Sequence, residues 1–159
     1  MSYSTIQSHH EMFFDATRND IYRKAIAQLV NKDSVVLDLG AGLGIHGFMA
    51  AQQGARKVYL VEPERVLNTT EGLVEKNVYA DVMICIRGRI EEVDLPEAVD
   101  VIVSVFTGNF LVMEDLLPSL FYARDTYLKP SGSLIPNSAQ MIVAPVNMEK
   151  FYSDHIDCW

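Results

Sequence analysis

A single α/β domain built on a doubly wound parallel sheet is what this sequence predicts, and three observations carry the prediction. Short apolar runs alternate with helix-period stretches, the pattern of strands buried on both faces and joined through covering helices. The run Val35–Leu39 passes directly into Gly40, Gly42 and Gly44 and then into a helical stretch, the entry of a ligand loop. A length of 159 residues suits one well-filled core and is too short for two.

The elements follow in order. Residues up to about 30 read as helix, with Ile21, Tyr22, Ala25, Ile26, Leu29 and Val30 on one stripe. Strands are predicted at about 34–39, 57–62, 81–87, 99–104 and 132–136. Helices are predicted at 45–53, with Gly54 as its C-cap, at about 64–76, weakened by Gly72, and at 113–128. Lys129-Pro130-Ser131-Gly132 is a turn signal, and Pro136-Asn137 ends the fifth strand. A further strand is expected over 139–146, followed by a short polar-apolar tail. That strand has no return connection in the sequence, so residues 138–159 are expected to open a second domain after a first one spanning 1–137.

Composition removes several functions. Apolar residues make up 49% and charged residues 21%, which excludes a disordered or low-complexity chain. The net charge is −8 and the basic residues are scattered, which argues against a nucleic-acid partner. No apolar run reaches the ~20 residues of a membrane span, and the start carries no charged-then-apolar leader. Cys85 and Cys158 have no metal-type spacing, and His9, His10, His46 and His155 form no ligand cluster, so no metal site is expected. Cys85 reads as a small buried thiol. A reduced, cytoplasmic protein is the expectation.

The chemistry concentrates at 35–62. Glycines at 40, 42 and 44 let a ligand approach bare backbone, and the helix that follows offers free N–H groups. Glu62 stands at the end of the next strand, 22 positions after Gly40, where a carboxylate can accept both hydroxyls of a ribose. Gly42, Gly44 and Gly47 also satisfy G-x-G-x-x-G, with Glu62 at the spacing of a nicotinamide or flavin fingerprint. Asp38 separates the two readings. An acid just ahead of the glycines repels pyrophosphate but suits an ammonium, and S-adenosylmethionine offers an ammonium, a ribose and an adenine without phosphate. That cofactor is the favoured reading, with a nicotinamide-binding domain as the alternative. A glycine turn that holds nothing is the bland reading.

Longer motifs add a resemblance. HxEMxxDxxRxxxY at 9–22, VVLDLGAGLGI at 35–45, AxxGARKVYLVE at 51–62, GRIEEVDLP at 88–96, VDVIVSxxxGNFLxxEDLL at 99–117 and LFYARDTYLKPSGSLIPNSA at 120–139 together resemble the cofactor-binding domain of protein arginine methyltransferases. The resemblance implies the three-layer, Rossmann-like sheet of class I methyltransferases. It implies S-adenosylmethionine as cofactor and S-adenosylhomocysteine as product. It places His9 and Arg18 on a helix covering the cofactor, with the guanidinium on the methionine carboxylate, a planar fork that suits that group. Asp38 and Gly40 match the ammonium-side contacts, Gly42 and Gly44 complete the loop, and Glu62 matches the ribose acid. Ile90 and Glu91 match the adenine site. Read alone, Arg18 is a solvated helix charge and Glu91 half of an exposed acidic pair.

The segment after the fourth strand departs from the family pattern. Two glutamates nine positions apart are implied there, gripping the substrate guanidinium; Val105 stands at the first position and Glu114 at the second. Phe106 and Thr107 replace a tryptophan and a methionine. A methyltransferase of arginine type is therefore expected, with Glu114 as the remaining catalytic carboxylate and a protein or small-molecule acceptor. A cofactor-binding module without transfer activity is the alternative. The resemblance also implies a homodimer.

Overall fold

The computed structural model describes residues 6–106, 110–112 and 115–157. Its strands are β1 (Val35–Leu39), β2 (Lys57–Glu62), β3 (Met83–Arg87), β4 (Val99–Ser104) and β5 (Leu128–Ile135). The helices are α1 (Ile6–Phe14), α2 (Ala16–Leu29), α3 (Ile45–Gln52), α4 (Leu67–Glu75), α5 (Leu117–Tyr127) and α6 (Glu149–His155). The strands form one sheet in the order β3-β2-β1-β4-β5, with every pairing parallel. This is the doubly wound, Rossmann-like architecture expected of class I methyltransferases.

The two-residue period of each strand sorts side chains to two cores. Val36, Val58, Leu60, Val101 and Val103 pack with Ile26 of α2, Met49 and Ala50 of α3 and Val74 of α4. On the other face Val35, Leu37, Leu39, Val61 and Ile102 pack with Leu120, Ala123 and Tyr127 of α5. β1 is buried along its whole length, as a central parallel strand must be.

Four expectations need correction. The N-terminal helix is two helices, because Asp15 turns the chain between α1 and α2 and its side chain accepts the Arg18 N–H at 2.9 Å as an N-cap. The KPSG signal is a bulge inside β5: Val99 pairs with Leu128 and Val101 with Ser133, so four residues stand opposite Asp100. Lys129 Nζ closes that bulge onto the Asp100 carboxylate at 2.8 and 2.9 Å. Residues 139–146 form no strand; Ile142 and Val143 are 84% and 90% exposed. They have strand propensity, but among the described residues they pair with no strand of the sheet. Cys85 lies on the sheet-edge strand β3 and is only half-buried; burial still pushes its thiol up to about 11.

Candidate functional site

In a doubly wound sheet, ligands sit beyond the carboxyl ends of the strands where the chain order reverses. Here the reversal falls between β1 and β4, and the glycine loop leaves β1 at that point.

The loop is held from two directions. The Gly40 and Ala41 N–H groups both reach the Val61 carbonyl, at 2.9 and 3.1 Å, tying the loop to the end of β2. One residue further along β2, the buried Glu62 accepts the Gly42 N–H on Oε2 and the Glu64 N–H on Oε1, both at 2.9 Å. Each carboxylate oxygen keeps acceptor capacity beyond these bonds. Thr70 of α4, fully buried, donates its hydroxyl to the Gly42 carbonyl at 2.7 Å. Gly44 caps α3 in the left-handed region, φ 76°, where a side chain would also strike Thr70 and Leu60. At Gly42 the His9 ring lies 2.7 Å from where a Cβ would stand, so only a bare backbone lets α1 close over the loop.

Asp38 points to the α3 side of the sheet, and its Oδ2 accepts the Gly47 N–H at 2.7 Å. The first turn of α3 therefore already holds a carboxylate in the place where a dinucleotide would put its pyrophosphate. Gly47, the third glycine of the alternative fingerprint, serves this bond and close packing against Leu60. Burial pushes the Asp38 carboxyl up to about 7; the Gly47 N–H opposes the shift and the Glu62 charge adds to it. A carboxyl under that strain is eased by a cation, not by phosphate.

A second layer lies behind Asp38. Tyr22 of α2 donates its hydroxyl to the Ser104 carbonyl at the end of β4, at 2.8 Å. Its ring centroid is 4.4 Å from that of His46. Burial raises the Tyr22 hydroxyl above its ordinary range, with Arg18 opposing and Asp38 adding. Arg18 lies one turn before Tyr22; its Nε is 3.7 Å from Asp15 Oδ2 and has no hydrogen-bond partner among the described residues.

Of the residues expected at the site, His9, Asp38, Gly40, Gly42, Gly44 and Glu62 converge on the loop. Arg18 stands on α2 one turn before Tyr22, with its Nε 3.7 Å from Asp15 Oδ2. Ile90 is 2% exposed and its side chain belongs to the core facing α5. Glu91 is exposed and accepts the Ser119 hydroxyl at 2.5 Å. Val105 follows β4 directly and is half-buried, and the Phe106 ring lies against Gly40. Glu114, the expected catalytic carboxylate, lies outside the described residues. Thr70 and His46 went unnoticed in the sequence. A threonine inside a helix carries no signal, whereas a histidine in the first turn after a glycine loop deserved one.

Comparison with known proteins agrees with this geometry. The chain is 41% identical to protein arginine N-methyltransferase 2 of Dictyostelium discoideum over 160 residues, 99% of this chain and 31% of that protein. It is 37% identical to protein arginine N-methyltransferase 1.1 of Arabidopsis thaliana, covering 41% of it. The fold superposes with a TM-score of 0.93 and 38% identity on a chain of the Trypanosoma brucei PRMT1 enzyme-prozyme heterotetrameric complex with AdoHcy, spanning 100% of this chain and 51% of that one. No family model matches the chain. The chain thus spans about a third to a half of the length of these relatives. Over 99–100% of its length it is similar in sequence and in fold to the protein arginine methyltransferases.

Proposed function

We propose that this chain binds S-adenosylmethionine across the β1–α3 loop and serves methyl transfer of the arginine-methyltransferase type, releasing S-adenosylhomocysteine. The observation that carries the reading is the opposed pair of buried carboxylates. Asp38 is seated at the start of α3 and Glu62 is seated on the Gly42 N–H. Together they offer one anion to an ammonium and one acceptor to a ribose, and leave no place for phosphate. The 36–41% identity to arginine methyltransferases supports the same cofactor.

The residues present fit that cofactor. Glu62 has acceptor capacity to spare, the loop backbone is bare at Gly40 and Gly42, and Arg18 keeps a buried donor in reserve. When bound, the cofactor supplies a methyl group on a sulfonium. The chain's own part is positioning: Arg18 takes the carboxylate end, Asp38 the ammonium, Glu62 the ribose and Glu91 the adenine, with Ile90 beside it. His9 and Phe106 flank the loop and exclude water. Transfer is an in-line displacement, so alignment supplies most of the catalysis. Glu114 orients the acceptor, for which a protein arginine is the proposed class. Residues 1–137 make up the cofactor domain in this reading. Residues 138–159 begin a second one, in keeping with the exposure of Met141, Ile142, Val143, Phe151 and Tyr152.

Titration calorimetry with S-adenosylhomocysteine and NAD tests the cofactor. Binding of the first and not the second is the expected result, and the reverse sinks the reading. Incubation of the chain with cofactor labelled in the methyl group, together with lysate, tests transfer.

A further inference from the structure

Thr70 lies within α4, is fully buried, and carries a hydroxyl that packing alone does not need. A valine would fill the same space, and burying a hydroxyl is costly unless it is bonded. Threonines inside helices often return that hydroxyl to the carbonyl one turn back. Thr70 sends it out of the helix instead, to the Gly42 carbonyl 28 positions earlier, at 2.7 Å. Its methyl group serves a different contact: Cγ2 lies 2.8 Å from where a Cβ on Gly44 would stand. One side chain thus meets the loop twice, through a polar arm at Gly42 and an apolar arm at Gly44.

The polar arm reaches further than the loop. Gly42 has φ 52° and no side chain to restrict it, so its conformation is set by what holds its two polar groups. Its N–H donates to Glu62 Oε2 at 2.9 Å and its carbonyl accepts from Thr70. The other oxygen of Glu62 takes the Glu64 N–H at 2.9 Å, and the Glu64 carbonyl accepts from Arg87 Nη1 at 3.1 Å. Each N–H that seats the Glu62 carboxylate therefore belongs to a residue whose carbonyl a side chain holds. The Arg87 bond is exposed, where water competes for it, whereas the Thr70 bond is buried. Two neighbouring ribose hydroxyls need both oxygens of one carboxylate at a fixed tilt. A group that fixes the tilt therefore acts on ribose more than on the rest of a nucleoside.

We propose that Thr70 is a positioning residue for ribose recognition: its hydroxyl fixes Gly42, and the Gly42 N–H fixes the Glu62 carboxylate. The inference rests on the reading of the loop as an S-adenosylmethionine site. It adds a residue that acts on the cofactor without touching it. A purely structural threonine, holding α4 against the loop and nothing more, is the competing account.

The test is titration calorimetry on the whole chain with S-adenosylhomocysteine and its 2′-deoxyribose analogue, alongside thermal unfolding. The native chain is expected to prefer the ribose form about tenfold, the worth of a hydrogen bond to a charged group. Thr70→Val keeps the methyl contact and removes the hydroxyl. It is expected to weaken S-adenosylhomocysteine about three- to tenfold and the deoxy analogue less than about twofold, so that the preference shrinks. Thr70→Ser keeps the hydroxyl and removes the methyl; it is expected to recover most of the preference while lowering Tm. If the valine variant fails to fold, Thr70→Ala takes its place, because it differs from the serine variant by the hydroxyl alone. Equal losses for both ligands in Thr70→Val overturn the inference and leave the structural account, and so does unchanged affinity for both. A serine variant that loses the preference as the valine does overturns it too, by assigning the effect to the methyl group. If the native chain binds both ligands equally, the ribose role of Glu62 falls and the inference with it. If it binds neither, the reading of the loop itself falls.

Discussion

Two loops leave the sheet side by side, one from the end of β1 and one from the end of β4, and among the described residues they differ in backbone conformation. The β1 loop is tied at nearly every residue: two N–H groups on Val61, Gly42 held by Glu62 and Thr70, and Asp38 seated on Gly47. The β4 loop begins with Val105 where the related enzymes' pattern implies a glutamate. Phe110, Leu111 and Asp115 then take left-handed backbone angles of 58°, 60° and 53°, a conformation that costs side-chain-bearing residues about 1–3 kcal/mol each. In the proposed reading, holding a cofactor falls to the β1 loop and orienting an acceptor to the β4 loop. A change can reach the second and leave the first whole.

The largest expected effect breaks that separation from the β4 side. Removing one partner of a buried charge arrangement costs roughly 3–5 kcal/mol, about two to four decades in rate. The chain, with Val105 in that place, is therefore expected to methylate arginine-rich peptides slowly, about two to four decades below a form that carries both glutamates. Val105→Glu in any longer natural form should raise the rate by at least an order of magnitude. Robust methylation by the native 159-residue chain in a radiolabel assay contradicts this.

From the β1 side, Gly44→Val strikes Thr70 and Leu60 at a left-handed position. Strain and overpacking together should cost about 2–5 kcal/mol, read as a fall in Tm of roughly 5–15 °C. A Tm within two degrees of the native value would mean that the loop is not built as described.

Asp38→Ala and Glu62→Ala are expected to weaken S-adenosylhomocysteine about tenfold or more each, from hydrogen bonds to charged groups worth ~1.5–3 kcal/mol. Val105→Glu should leave that affinity within about twofold, which sharpens the separation of the two loops. Calorimetry on the three variants decides it, and unchanged affinity in both alanine variants places the cofactor elsewhere.

The smallest effects are in pH. The Asp38 carboxyl is raised to about 7 from an ordinary 3.8, so between these values the folded chain holds a proton that the unfolded chain releases. Its contribution to stability is whole below about 4 and is lost as pH rises toward 7. His46, lowered to about 4 from 6.5, acts with the opposite sign: its share falls as pH drops from 6.5 to 4. The two partly cancel in the native chain. Urea denaturation of Asp38→Asn and of His46→Phe against the native chain, across pH 4 to 7, should give difference curves of opposite slope. Slopes of the same sign contradict the burial of one of the two groups.

How far the sequence spoke depended on whether the physics was local. The strand period of β1, β2 and β4, the glycine spacing and the carboxylates at Asp38 and Glu62 are properties of a few consecutive residues, and each stood legible in the chain. So did the substitution at Val105, because it is a departure within a motif. The bulge in β5 was unreadable as such. KPSG is a turn by local preference, and only the parallel partner β4, with Asp100 facing Lys129, makes it a detour within a strand. The failure of 139–146 to form a strand has the same origin, since a ladder needs a neighbour that no local pattern names. The bond from the Gly42 N–H to Glu62, the Thr70 hydroxyl on the Gly42 carbonyl and the packing of Tyr22 on His46 join residues distant in sequence. The sequence determined which chemical groups the protein owns and which short elements carry them. The tertiary structure alone decided which of those groups are buried together, because the packing of α2 and α3 on the sheet, not the order of residues, sets who is left without water.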